Sequence, residues 1–232
     1  MKILGIDTST NIMGLSIVEE NKILVNCMLQ KPGITHSSSL IPFLKNMLDF
    51  QGIELKDLAG IAVSVGPGSF TGLRIGLSTA KGIAFALSLP MVGINSLEAY
   101  SAKYMNLQGI LCPIIKARKD EYYFTFYNNE KDKRLLRIEE YQCDNWLNIR
   151  EKINKLKQQV YIMGDSLEDL LSFEKKADQY KAIHFIFQKQ DPPGAAIIAL
   201  MGEEKIKEKE YDDLFQIVPF YIGKSLAERI KK

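Results

Sequence analysis

The run IAVSVGPGSFTGLRIGLSTAKGIAFA, residues 61–86, constrains this chain more than any other stretch. A β-branched apolar segment, 61–65, stops at Gly66-Pro67-Gly68, and a helical pattern rich in small residues follows over 71–87. Strand, glycine turn and helix N-terminus together present backbone N–H groups with a partial positive charge, where an anion or a second backbone can come very close. Ser69 and Thr71 both have N-cap side chains. Within the helix, Gly72, Gly76, Ala80 and Ala84 recur every fourth residue and form one smooth ridge. Two helical glycines cost roughly 1 kcal/mol each against alanine, so the ridge calls for close approach of another backbone, either a helix or the sheet. Leu73, Leu77, Ile83 and Leu87 supply a second face for core contact.

Around this run the chain reads as α/β. Residues 2–6, 13–18 and 22–29 form three antiparallel strands, turning at Asp7-Thr8-Ser9-Thr10 and at Glu20-Asn21. Leu40, Phe43, Leu44, Met47 and Leu48 follow the i, i+3, i+4, i+7, i+8 pattern of a helix, with Ser37 to Ser39 as caps. After the central run, Pro90 marks a stop, 91–94 a strand, and Ser96-Leu97-Glu98 a helix start. From about Asn106 the pattern opens again, with paired strands at 111–117 and 121–127, a charged turn at 128–133 and a third strand at 135–143. A helix at 144–156, strands at 160–163 and 184–187, an amphipathic helix at 193–209 and a short basic helix at 227–232 complete the reading. Two α/β halves result, 1–105 and a smaller 106–232, with the last helix free to pack back on the first half.

At 232 residues the chain can bury a core without disulfides. A net charge of +2 gives no overall basic field to draw nucleic acid. Cys27, Cys112 and Cys143 contain no CxxC, which argues against a cysteine framework or cysteine-rich metal site and suits a reducing cytosol. No run reaches the roughly 18 apolar residues of a membrane span, and the residues before Asp7 lack a signal-peptide core. A cytoplasmic location with no membrane partner is expected.

The glycine turn is not a Walker A loop, because Leu73 stands where lysine would follow the last glycine. Its GxGxxxG spacing is neither the dinucleotide fingerprint nor the GxSxG elbow. A phosphate at Gly66, Gly68 and Ser69 would rest on backbone N–H groups, and glycine packing explains the turn equally well. Asp7, Thr8 and Ser9 suit a phosphate, a hydrated cation at Asp7, or a plain polar turn. The only histidines, His36 and His184, are not spaced to serve Ser69 as a base, and no metal-ligand cluster is visible. No catalytic residue and no metal ligand is assigned. Tyr122, Phe124 and Phe126 alternate as core residues do, rather than as a base-stacking platform.

Asp7-Thr8-Ser9, His36-Ser37, the run GPGSFTGLRIG, Ala117-Arg118 with Glu121, and Pro219 with Tyr221 resemble the TsaB (YeaZ) family of bacterial tRNA threonylcarbamoyladenosine biosynthesis proteins. The likeness is dense in the first hundred residues and thin over 132–190. It implies the two-lobed fold of actin, sugar kinases and heat-shock ATPases, with duplicated ribonuclease-H-like lobes. The family's catalytic relative, TsaD, holds a metal with a His-x-x-x-His pair, and the matching positions here are Ser96 and Tyr100. The resemblance therefore implies a non-catalytic subunit that scaffolds and activates a TsaD-type transferase. Their product is N6-threonylcarbamoyladenosine on the adenosine 3′ of the anticodon. A TsaE-type ATPase completes the machinery, tRNA is reached only through the complex, and a homodimer is left open. No cofactor of its own is implied, with a nucleotide at the complex interface left open. The alternative is a weak ATPase or peptidase-like enzyme of the same fold. In the family, two early helices form a bundle between protomers, which implies partner contacts at His36, Leu40, Phe43, Gly72, Leu73, Arg74, Gly76, Leu77 and Ala80. Ser38, Lys116 and Gly223 depart from the family's Glu, Asp and Arg, so no role is carried over to those charges.

Overall fold

Alternation sets the first sheet. The computed structural model describes residues 1–30, 36–129, 135–165, 167, 170, 183–186 and 194–222, with the backbone alone for His36. β1 (Lys2–Asp7), β2 (Met13–Glu19) and β3 (Lys22–Leu29) make the expected antiparallel meander. β4 (Leu58–Gly66) and β5 (Met91–Asn95) add in parallel beside β1, in the order β3-β2-β1-β4-β5. Successive side chains point to opposite faces, so each strand except the edge strand β3 feeds two cores. Leu4, Ile6, Leu15, Ile17, Ile61 and Val63 meet α1 (His36–Gln51) and α2 (Phe70–Leu87) through Leu40, Leu44, Met47, Leu77, Ala80 and Ala84. Ile3, Val18, Ala62, Val92 and Ile94 face the other way, towards α3 (Ser96–Ala102) and a helix from late in the chain. Ser37 to Ser39 lie inside α1 rather than capping it.

The second unit repeats the plan. β6 (Gly109–Arg118), β7 (Glu121–Phe124), β8 (Tyr127–Asn129), β9 (Leu135–Arg137) and β10 (Gln142–Asn145) precede α4 (Trp146–Leu156), β11 (Val160–Gly164) and β12 (Ile183–Phe185). The path β10-β7-β6-β11-β12 has antiparallel neighbours on one side of β6 and parallel ones on the other, as in the first sheet. The strand expected over 121–127 is split. Ile114 pairs with Phe124 and Leu111 with Tyr127, one unbroken register whose ladder lapses between them. Pro113 sits in that gap and has no N–H to give. Opposite it, Thr125 turns its hydroxyl to the Glu139 carbonyl at 2.7 Å. The strand expected over 135–143 is likewise two pieces, β9 and β10. The charged turn expected from 128 begins as strand β8, and 130–134 lie outside the described residues. The α4 helix begins at Trp146, because Asn145 caps it by accepting from Asn148 N at 3.0 Å.

The late helix, α5 (Ala195–Lys207), corrects the expected second half. Its segment, Pro192–Pro219, groups with Met1–Lys103, and the second unit begins at Tyr104. Ile198, Ala199 and Ile206 complete the core behind β1 and β4. The approach is close because glycines allow it: a Cβ at Gly5 would land on the Ala195 carbonyl, and one at Gly202 on the Ala62 methyl. Glu203 is fully buried and ties α5 to the β2–β3 turn, accepting from Glu20 N and Asn21 N at 2.8 Å each. Lys207 balances it at 3.0 Å. The helix expected over 227–232 lies outside the described residues. Among the described residues, no helix is long and apolar enough to cross a membrane.

Candidate functional site

β1, β4 and β5 run parallel, so their C-terminal ends share one edge of the sheet. Ligands of open α/β sheets gather at such edges. Here the edge collects Asp7 to Thr10, the turn Gly66 to Ser69 and the start of α3. The two stretches singled out in the sequence do meet, but they close on each other. Ser69 N donates to the Ser9 carbonyl at 2.7 Å. The Thr8 hydroxyl donates to the Gly72 carbonyl at 2.8 Å. Gly66 takes a φ of 110°, open to glycine, and a Cβ on Gly68 would strike the Ser9 carbonyl. Ser69, rather than Thr71, is the N-cap of α2, its hydroxyl accepting from Gly72 N at 3.2 Å.

Asp7 is at the centre and is only 2% exposed. Its Oδ1 accepts from Ser9 N at 3.0 Å and Ser9 Oγ at 2.7 Å. Its Oδ2 accepts from Gly194 N at 2.8 Å. Gly194 precedes α5 and has no side chain with which to cap it, so the carboxyl of β1 supplies the acceptor instead. Burial pushes the Asp7 carboxyl above its ordinary range, against the pull of donors from Ser9, Gly194 and Ser64. Asp7, Thr8, Ser9, Gly66, Gly68 and Ser69 thus form a packed junction whose donors and acceptors largely serve one another. That geometry favours the packing reading of the glycine turn over a phosphate grip.

The start of α3 is similarly closed. Asn95 Oδ1 accepts from Leu97 N and Glu98 N at 2.9 and 3.2 Å. Ser96 is buried and its hydroxyl pairs with that of Ser64 at 2.7 Å. Tyr100 is buried one turn later. Among the described residues, no three His, Cys, Asp or Glu side chains come together as metal ligands would. Arg118 and Glu121, in the second unit, close the β6–β7 turn with an ion pair at 2.5 Å.

The ridge is a correction. Gly72, Gly76, Ala80 and Ala84 face inward and are buried, as are Leu73 and Leu77. A Cβ on Gly76 would land on the Thr8 hydroxyl, so the glycine admits the Asp7 loop rather than a partner. Leu40 is buried in the same core. None of these is open to a partner in this fold. Of the expected contacts, Arg74 is exposed, its guanidinium 3.8 Å from the Phe70 ring centre, and Phe43 is half-buried. The side chain of His36 lies outside the described residues.

The outward face of α2 carries a second ridge that sequence reasoning missed: Ser78, Gly82 and Ala86, all exposed. No atom lies within 4 Å of where a Gly82 Cβ would be. Phe70 and Phe85, 51% and 67% exposed, bracket it, and Ile41 and Phe50 of α1 are exposed at 54% and 86%. Its i, i+4, i+8 spacing was legible, but the same spacing on the inner ridge gave no ground for choosing between them.

The family model described as TsaD, tRNA N6-adenosine threonylcarbamoyltransferase, matches residues 31–228. The tRNA threonylcarbamoyladenosine biosynthesis protein TsaB of Bacillus subtilis is 29% identical over 98% of this chain and 96% of its own length. A solved Pseudomonas aeruginosa structure, described as similar to the peptidase YeaZ, superimposes with a TM-score of 0.76 at 21% identity, over 96% of this chain and 99% of that one. The ADPNP-bound activator of the 2-hydroxyisocaproyl-CoA dehydratase of Clostridium difficile gives a TM-score of 0.54 at 11% identity, over 92% and 99%. These two structures speak to the fold, which is the two-lobed α/β class of actin, sugar kinases and heat-shock ATPases.

Proposed function

The chain belongs to the TsaD family of tRNA N6-adenosine threonylcarbamoyltransferases, in the TsaB (YeaZ) group that serves tRNA threonylcarbamoyladenosine biosynthesis, and from that premise we propose that it is a non-catalytic subunit. It docks a TsaD-type transferase in the cytoplasm and activates it, a TsaE-type ATPase joins them, and tRNA is met only through the complex. The observation that carries this reading is the start of α3. Where the resemblance places two metal-binding histidines, this chain has Ser96, tied to Ser64, and Tyr100, both buried. A hydroxyl pair in an apolar wall is a poor site for a transition metal. Asp7, the other group suited to a cation, is spent on Ser9 and Gly194.

The docking face in this reading is the outer side of α1 and α2, centred on Gly82. Exposed Phe70, Phe85, Ile41 and Phe50 give it the apolar anchors of an interface core. The small ridge between them lets a partner helix approach closely. Calorimetric titration of the chain into a TsaD-type transferase tests this. A 1:1 complex at micromolar concentration is expected, with Gly82→Glu abolishing it while melting no lower than the parent. No heat of binding, or a Gly82→Glu variant that binds as well as the parent, would count against the assignment.

A further inference from the structure

The C-terminal end of α2, where Phe85 also borders the docking face, opens onto a groove beyond that face. Phe85, Ser88 and Met91 there meet Tyr211, Asp212 and Leu214 across a groove of about 490 Å3. That volume holds a few side chains. Phe85 and Tyr211 stand 67% and 57% exposed, and Phe215, 78% exposed, meets Phe85 edge-on with ring centres 6.3 Å apart. Several large exposed rings in one place mark an interaction site. The groove is also preformed. Asp212 N donates to the Met91 carbonyl at 2.9 Å, and Gly93 N donates to Asp212 Oδ2 at 2.8 Å, so this segment is pinned along β5.

Charge decides what fits. Residues 208–213, which give the groove its Tyr211 and Asp212, hold Glu208, Glu210, Asp212 and Asp213 against Lys209 alone, all exposed. Asp212 Oδ2 accepts from Gly93 N and Asp213 Oδ1 from Phe215 N, at 2.8 Å each, while Glu208 and Glu210 stand exposed beside them. The last turn of α2 has no basic residue to offset its partial negative end. A negative segment beside exposed aromatic rings attracts a cation and repels a phosphate backbone. We propose that this groove binds a basic peptide segment of a protein partner, with arginine or lysine over the rings and apolar residues between them. The proposal goes beyond the transferase reading and does not require it.

The test uses the isotope-labelled full chain and two synthetic peptides, one alternating leucine with arginine and a twin with glutamate for arginine. The arginine peptide should move the amide signals of Phe85, Ser88 and Tyr211 and bind about tenfold tighter than its twin, less so in added salt. Phe215→Ser should weaken it about fivefold by removing an exposed ring. Glu210→Gln with Asp213→Asn should erase the preference at an unchanged melting temperature. Equal binding of both peptides, or signals that move only elsewhere or not at all, would overturn the proposal. Because no transferase is present, its failure would leave the partner reading untouched.

Discussion

Gly76 is buried against the sheet and Gly82 is exposed on the same helix, and their substitutions should behave in opposite ways. A methyl at Gly76 strikes the Thr8 hydroxyl, already held by the Gly72 carbonyl. Gly76→Ala should therefore cost about 1–3 kcal/mol in denaturant unfolding, as overpacking does. Gly82→Ala meets open space and should gain up to about 1 kcal/mol of helix propensity. Equal midpoints for the two variants would contradict this placement of α2. Glu203 gives a pH signature. Burial raises its carboxyl, but Asn21 N, Lys207 and Glu20 N together outweigh this and hold it below the ordinary carboxylate range. The unfolded chain then binds the extra proton, so this contribution is full above the ordinary glutamate pKa and is lost as pH falls through the folded value. Glu203→Gln should cost about 2 kcal/mol at neutral pH and flatten the acid side of the stability curve, read by urea midpoints. Asp7, raised rather than lowered, works in the opposite sense, its contribution fading as pH rises.

At the scale of elements, α5 is the part of the first unit that arrives last. Without it, Ile3, Ala62, Val92 and Ile94 would face water, and Asp7 would lose its Gly194 partner. A chain ended before Pro192 should thus show no cooperative thermal transition for the first unit, and calorimetry decides it. How much of this was legible follows from what each signal encodes. The five strands of the first sheet and both of its long helices were readable, because β-branched runs, Gly66 and the Leu40–Leu48 periodicity are local. Which side of α2 faces the sheet was not. The same helix holds two small-residue ridges, and spacing alone does not rank them. The bond from Asp7 to Gly194 joins residues 187 apart, which no local pattern reports. The split of the 121–127 strand was encoded, since Pro113 was in plain view, but only the register says which residues it faces.

At the scale of the whole molecule, the two units share a strand order and a sense of direction, and the chain matches a transferase family along most of its length. A frame of this kind usually works at the C-terminal edge of its strands. Here that edge is filled by the chain's own side chains, while apolar residues stand exposed on α1 and α2. A filled edge and apolar contact surface on the helices are what the proposed non-catalytic role requires. The most direct measurement is threonylcarbamoyladenosine formed on tRNA in a reconstituted mixture with and without this chain. The account predicts no product from this chain alone, product with TsaD-type and TsaE-type proteins present, and loss of that product when Gly82→Glu replaces the parent. Product from the chain alone, or an equal yield when it is left out, would contradict it.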